Sequence, residues 1–118
     1  MCTESELKIV TTTVIQEAKR LFGDKLESVV LFGSYARGDY DEESDIDIMI
    51  IANISNDQIS SLSKTLTDFS CDIDLKYDVV LSLILQDKDT YNKYKSIYPF
   101  FMNIEKEGVV LVAWYKWN

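Results

Sequence analysis

The sequence predicts an α/β fold, a small mixed β-sheet covered by helices. Three observations carry this. Apolar stripes at steps of three and four alternate along the chain with short runs rich in Val and Ile. The stretch from Val29 to Ile51, V-V-L-F-G-S-Y-A-R-G-D-Y-D-E-E-S-D-I-D-I-M-I-I, encloses a polar, acid-rich loop between two such runs. The chain has 118 residues and is 47% hydrophobic, enough for one core. Residues 1–118 are therefore expected to form a single domain, although the pattern does not set the strand order.

Residues 3–22 read as the first helix. Leu7, Val10, Val14, Ala18 and Leu21 make one apolar stripe, Thr3 with Glu6 fits a capping box, and Gly23 supplies the stop. Residues 25–32 read as the first strand, turned by Gly33-Ser34, and residues 34–37 as the start of a short helix. The first backbone N–H groups of a helix lack intrahelical partners, which suits phosphate. Residues 38–44 form a loop carrying Asp39, Asp41, Glu42 and Glu43, and residues 45–52 the second strand.

A helix capped by Asn56 or Asp57 is expected to reach about Ile73, burying Ile59, Leu62, Leu66 and Phe69. Residues 75–85 contain the third strand, centred on residues 77–82. Residues 87–98 read as an amphipathic helix with Tyr91, Tyr94 and Ile97 on its stripe. Pro99 restarts the chain into a helical turn over residues 100–107, which Gly108 ends. Residues 109–112 read as a last short strand or extended tail. The aromatic end, Trp114-Tyr115-Lys116-Trp117, suits packing on the domain, contact with a partner, or fraying.

Composition narrows the function. A net charge of −8 argues against a surface that tracks nucleic acid or anionic membrane, which needs clustered Lys and Arg. The absence of His removes His-based acid–base catalysis, Ser-His-Asp triads and His-rich zinc sites. Cys2 and Cys71 have no metal-binding spacing and suggest no disulfide framework. No signal-peptide pattern and no run of transmembrane length is visible, so a cytoplasmic location is expected.

Side chains alternate along a strand, so Asp45, Asp47, Met49 and Ile51 share one face, with the two aspartate Cα atoms about 7 Å apart. Two acids at the mouth of an apolar strand are unfavourable unless a cation sits between them. Oxygen-only ligands favour Mg²⁺ or Mn²⁺. A Gly-Ser turn or an Asp-x-Asp strand alone is a common feature. Together they bring an anion-binding turn and a paired carboxylate to the same sheet edge.

Gly33-Ser34-Tyr35-Ala36-Arg37-Gly38 followed by Ser44-Asp45-Ile46-Asp47-Ile48 resembles the signature of the DNA polymerase beta-like nucleotidyltransferase superfamily. More narrowly, it resembles the minimal nucleotidyltransferases. The pattern Gly-Ser-x-Ala-Arg-Gly, a short gap, then Ser-Asp-x-Asp is matched at every fixed position.

The resemblance implies a nucleotidyltransferase fold and transfer of a nucleoside monophosphate, AMP from ATP above other nucleotides, to a hydroxyl. Gly33 and Ser34 would hold the triphosphate, and Asp45 and Asp47 two Mg²⁺ ions, with Mn²⁺ as a substitute. Arg37 would contact phosphate or pair with the acidic loop, and Ser44 would brace the loop.

It also implies a third carboxylate on a later strand. Asp78, in Tyr77-Asp78-Val79-Val80, is preferred over Asp74 because a strand follows it. This acid would complete the metal site and serve the acceptor. Small proteins of this kind resemble the antitoxin half of a two-gene system, whose partner is a helical HEPN-domain toxin. Two alternatives are a non-catalytic module that neutralises such a partner by contact, and a transferase acting on a small molecule, like the aminoglycoside-modifying relatives. The latter usually carry an extra helical domain.

Overall fold

The computed structural model describes residues 3–113; the aromatic end lies outside them. The chain runs α1 (Glu4–Phe22), a 3₁₀ turn (Gly23–Lys25), β1 (Leu26–Phe32), α2 (Ser34–Arg37), β2 (Ile46–Ala52), α3 (Asn56–Tyr77), β3 (Leu81–Asp87), α4 (Lys88–Tyr94), α5 (Pro99–Glu107) and β4 (Val109–Ala113). The strands form one mixed sheet in the order β3-β2-β1-β4. β1 is antiparallel to both β2 and β4, whereas β2 and β3 are parallel and joined through α3. A parallel pair needs such a crossover, and a helix is its usual form.

Alternation along the strands splits the core in two. Val29, Leu31, Ile46, Ile48, Ile50 and Leu81 pack under α1 and α3 against Val10, Val14, Ala18, Leu66 and Ile73. The opposite side chains, Val30, Met49 and Ile51, pack under α4 and α5 against Tyr91, Phe101 and Ile104. The central strands therefore read as continuous apolar runs, since both their faces are covered. Ile48, Met49 and Ile50 are all 0% exposed, and each such side chain contributes about 1.5–3 kcal/mol by its burial.

The N-terminal capping box forms as expected. Glu6 N–H donates to Thr3 Oγ1 at 3.1 Å, and Thr3 N–H donates to Glu6 Oε1 at 3.0 Å. Four boundaries differ from the sequence reading. The cap of α3 is Ser55, whose N–H donates to Gln58 Oε1 at 3.1 Å, rather than Asn56 or Asp57.

The same helix runs past Ile73 to Tyr77 because no Gly or Pro interrupts it. It ends where Asp78 turns left-handed, at φ 53° and ψ 50°. The third strand consequently starts at Leu81, not near Tyr77, and continues to Asp87. Finally, α4 stops at Tyr94 instead of reaching Tyr98, whose backbone is extended before Pro99, as the residue preceding a proline prefers.

Candidate active site

The site lies where β1 ends and β2 begins. Phe32 pairs with Asp47 across the antiparallel ladder, so the turn after Phe32 comes directly beside the Asp47 carboxylate. That turn is Gly33, at φ 74° and ψ −156°, a region essentially reserved for glycine. A Cβ on Gly33 would stand 2.5 Å from Asp47 Oδ2. The missing side chain thus lets carboxylate and turn backbone lie against each other.

From Gly33 the chain winds into α2. Ala36 and Arg37 N–H both donate to Gly33 O at 3.1 Å, and Gly38 N–H closes the turn on Ser34 O at 2.9 Å. Gly38 is itself left-handed, at φ 84°. The backbone N–H groups of Gly33 and Ser34 precede the first intrahelical donor, the part of a helix suited to an anion.

Asp45 is exposed and immediately precedes β2; Asp47 is half-buried within it. Burial pushes the Asp47 carboxyl above its ordinary range, the charge of Asp45 pushes it further, and the Arg37 guanidinium pulls it part of the way back. A divalent cation between the carboxylates would relieve both upward pushes. In a chain without His, this donor set suits a hard, oxygen-seeking cation. Asp45 and Asp47 would be the residues to hold such an ion.

Arg37 is also tied to the loop and to α5. Its Nε donates to Asp39 Oδ2 at 3.1 Å, and its Nη1 lies 3.6 Å from Glu107 Oε2. Pairing with the acidic loop, one of the two roles open to it from the sequence, is present in the structure. Ser44 braces that loop as expected, its Oγ accepting from Asp41 N–H at 2.9 Å.

The two candidates for a third carboxylate do not join Asp45 and Asp47. Asp78 is the C-cap of α3 and lines a cavity with Tyr35, Ser44, Ile46, Val79 and Val80. Tyr35 and Ile46 belong to the core on the other side of the sheet. Asp74 Oδ1 accepts from Leu81 N–H at 2.7 Å, so it secures the start of β3. Among the described residues no three Asp, Glu or Cys side chains converge as a metal site.

One part of the site was missed from the sequence, a cavity on the α5 side of the turn. It is lined by Phe32, Gly33, Arg37, Phe100, Asn103 and Glu107, and Phe100 meets Phe32 edge-on with ring centres 5.7 Å apart. Its only sequence signal was the unusual density of aromatics after Pro99.

Comparison with known proteins agrees with this geometry. The family model for the nucleotidyltransferase domain matches residues 12–111. "Putative protein adenylyltransferase MJ0604" of Methanocaldococcus jannaschii is 38% identical over 97 residues, covering 82% of this chain and 89% of that protein. "Putative protein adenylyltransferase MJ0141" of the same organism is 40% identical over 81 residues, covering 64% of this chain and 78% of that protein. The crystal structure of a "putative nucleotidyltransferase" from Sulfolobus solfataricus shares the fold. Its TM-score is 0.62 at 23% identity, covering 93% of this chain and 85% of that one. A chain that pairs a glycine turn with the Asp45–Asp47 carboxylates on this sheet, and that the family model matches over most of its length, belongs to the nucleotidyltransferase domain family.

Proposed function

We propose that this protein transfers AMP from ATP to a hydroxyl group of a protein acceptor, with Mg²⁺ or Mn²⁺ as cofactor. The observation that carries the proposal is the apposition of Gly33 and Asp47, which leaves no room for a side chain between the phosphate-binding turn and the paired carboxylates. Nucleotidyltransferases of this superfamily generally use divalent metal ions. The names of the curated relatives support AMP as the group and protein as the acceptor. The resemblance drawn from the sequence suggests a helical HEPN-domain partner as that acceptor, in the cytoplasm. Among the described residues no helix is long and apolar enough to cross a membrane.

In this reading the backbone N–H groups of Gly33 and Ser34, with the Ser34 hydroxyl, hold the triphosphate. Asp45 and Asp47 hold the cation, which neutralises phosphate charge when bound. Arg37 swings between its carboxylate partners and the phosphates. The acceptor oxygen forms a bond to the α-phosphorus while the bond from that phosphorus to the bridging oxygen breaks. Pyrophosphate leaves with the electron pair, and the hydroxyl proton passes to solvent.

The test uses ATP labelled at the α-phosphate, Mg²⁺ and a helical HEPN-domain protein from the same organism. Label should appear on that protein and vanish with the double variant Asp45→Asn, Asp47→Asn. Label transfer that survives the double variant, or none with wild type, would overturn the proposal.

A further inference from the structure

The register of β2 against β3 decides what stands beside the carboxylate pair. Ile46 pairs with Leu81 and Asp47 with Ser82, and Ile46 N–H donates to Val80 O at 2.8 Å. Leu81, Leu83 and Leu85 face the α1/α3 core and Ile84 the other. By alternation, Val80 and Ser82 share the face of Asp45 and Asp47. Neighbouring strands lie about 4.8 Å apart, so these two positions are the ones from which β3 could reach a cation there. One is aliphatic; the other offers only a neutral hydroxyl.

Several other acids are engaged elsewhere, Asp87 at the far end of the sheet, where it pairs with Ala52. Glu107 and Asp39 flank Arg37, Glu105 pairs with Lys95 at 3.5 Å, and Asp87 caps α4 by accepting from Thr90 N–H at 2.9 Å. Asp74 holds Leu81 N–H. Asp78 precedes the strand in left-handed backbone, where it ends α3, and lines one cavity with Ser44, Val79 and Val80; it holds no position in the β2–β3 ladder.

We infer that this chain binds one divalent cation per bound nucleoside triphosphate rather than two, and that Val80 is the residue that sets the number. The inference rests on the functional reading above and refines it. The sheet carries the nucleotide-side cation and lacks the carboxylate that a second, acceptor-side cation requires. Val80 is 55% exposed, so a carboxylate could be placed there without opening the core.

Mn²⁺ bound per chain is counted by electron paramagnetic resonance at saturating α,β-methylene-ATP. Wild type should bind one nucleotide-dependent Mn²⁺, Asp78→Asn should still bind one, and Val80→Asp should bind two, with its melting transition checking the fold. Val80→Asn, isosteric but uncharged, should stay at one. Two Mn²⁺ in wild type, falling to one in Asp78→Asn, would overturn the inference, as would Val80→Asp remaining at one while folded and binding nucleotide. No nucleotide-dependent Mn²⁺ in wild type would instead sink the functional reading beneath it.

Discussion

Gly33 and Asp47 are in mutual contact through an absent side chain: a methyl group on Gly33 would sit 2.5 Å from Asp47 Oδ2. The backbone conformation of Gly33 and the position of the Asp47 carboxylate are thus a single structural fact. Each of them also belongs to one half of the proposed chemistry, phosphate at the turn and cation at the carboxylate.

The two glycines that flank α2 should separate function from folding. Gly33→Ala meets both an unfavourable backbone region and the Asp47 carboxylate. It should cost about 1–3 kcal/mol of stability and abolish ATP binding measured by calorimetry. Gly38 has φ 84° but nothing within 4 Å of its missing Cβ. Gly38→Ala should cost about 1–2 kcal/mol and leave the ATP affinity within a few-fold of wild type.

Asp47 should link stability to pH with an unusual sign. Its folded-state pKa is raised, by burial first and by Asp45 second. The protonated form is therefore favoured in the fold. This contribution is fully present below the unfolded-state pKa and is lost as pH rises through the raised folded value. Without ligands, Asp47→Asn should raise the melting temperature at neutral pH, and the gain should shrink as pH falls toward the ordinary carboxylate range. Melting curves from pH 3 to 7 check this, at buffer values set by the ordinary Asp pKa of about 3.9. Mn²⁺ affinity should weaken over the same descent, since the cation competes with the proton.

Mg²⁺ with ATP should stabilise the protein by binding only its folded form. At a free ligand concentration one hundred times Kd, the gain is about 2.7 kcal/mol. Asp45→Asn with Asp47→Asn should eliminate the thermal shift. An undiminished shift would move the nucleotide to another part of the molecule.

The α3–β3 junction offers a test that a metal ligand and a helix terminus answer oppositely. Asp78 occupies left-handed backbone, which glycine adopts without the side-chain penalty, so Asp78→Gly should stabilise the fold by about 1 kcal/mol. Label transfer should persist. Asp74→Ala strips Leu81 N–H of its charged acceptor and should destabilise by about 1.5–3 kcal/mol. If Asp78→Gly abolishes transfer while raising the melting temperature, Asp78 serves the chemistry after all.

Much of the fold was legible because it is locally encoded. The strands around Val30 and Ile48 are apolar runs bounded by turn residues, α1 carries its own stripe and capping box, and Gly33 and Gly38 mark a turn. The Gly33-Ser34 turn and the Asp45–Asp47 pair were likewise readable, since fifteen or fewer residues link them and strand alternation assigns their faces. Tertiary structure decided the rest. Where α3 stops depends on Tyr77 and Val79 packing against the core, and no residue type in the segment announces it. That endpoint sets the start of β3, and a strand shifted along its neighbour presents different side chains to it. Asp78 lies next to a strand in sequence, yet Val80 and Ser82 are what β3 sets beside Asp45 and Asp47. Register is a relationship between two strands, and one strand's residues cannot specify it alone.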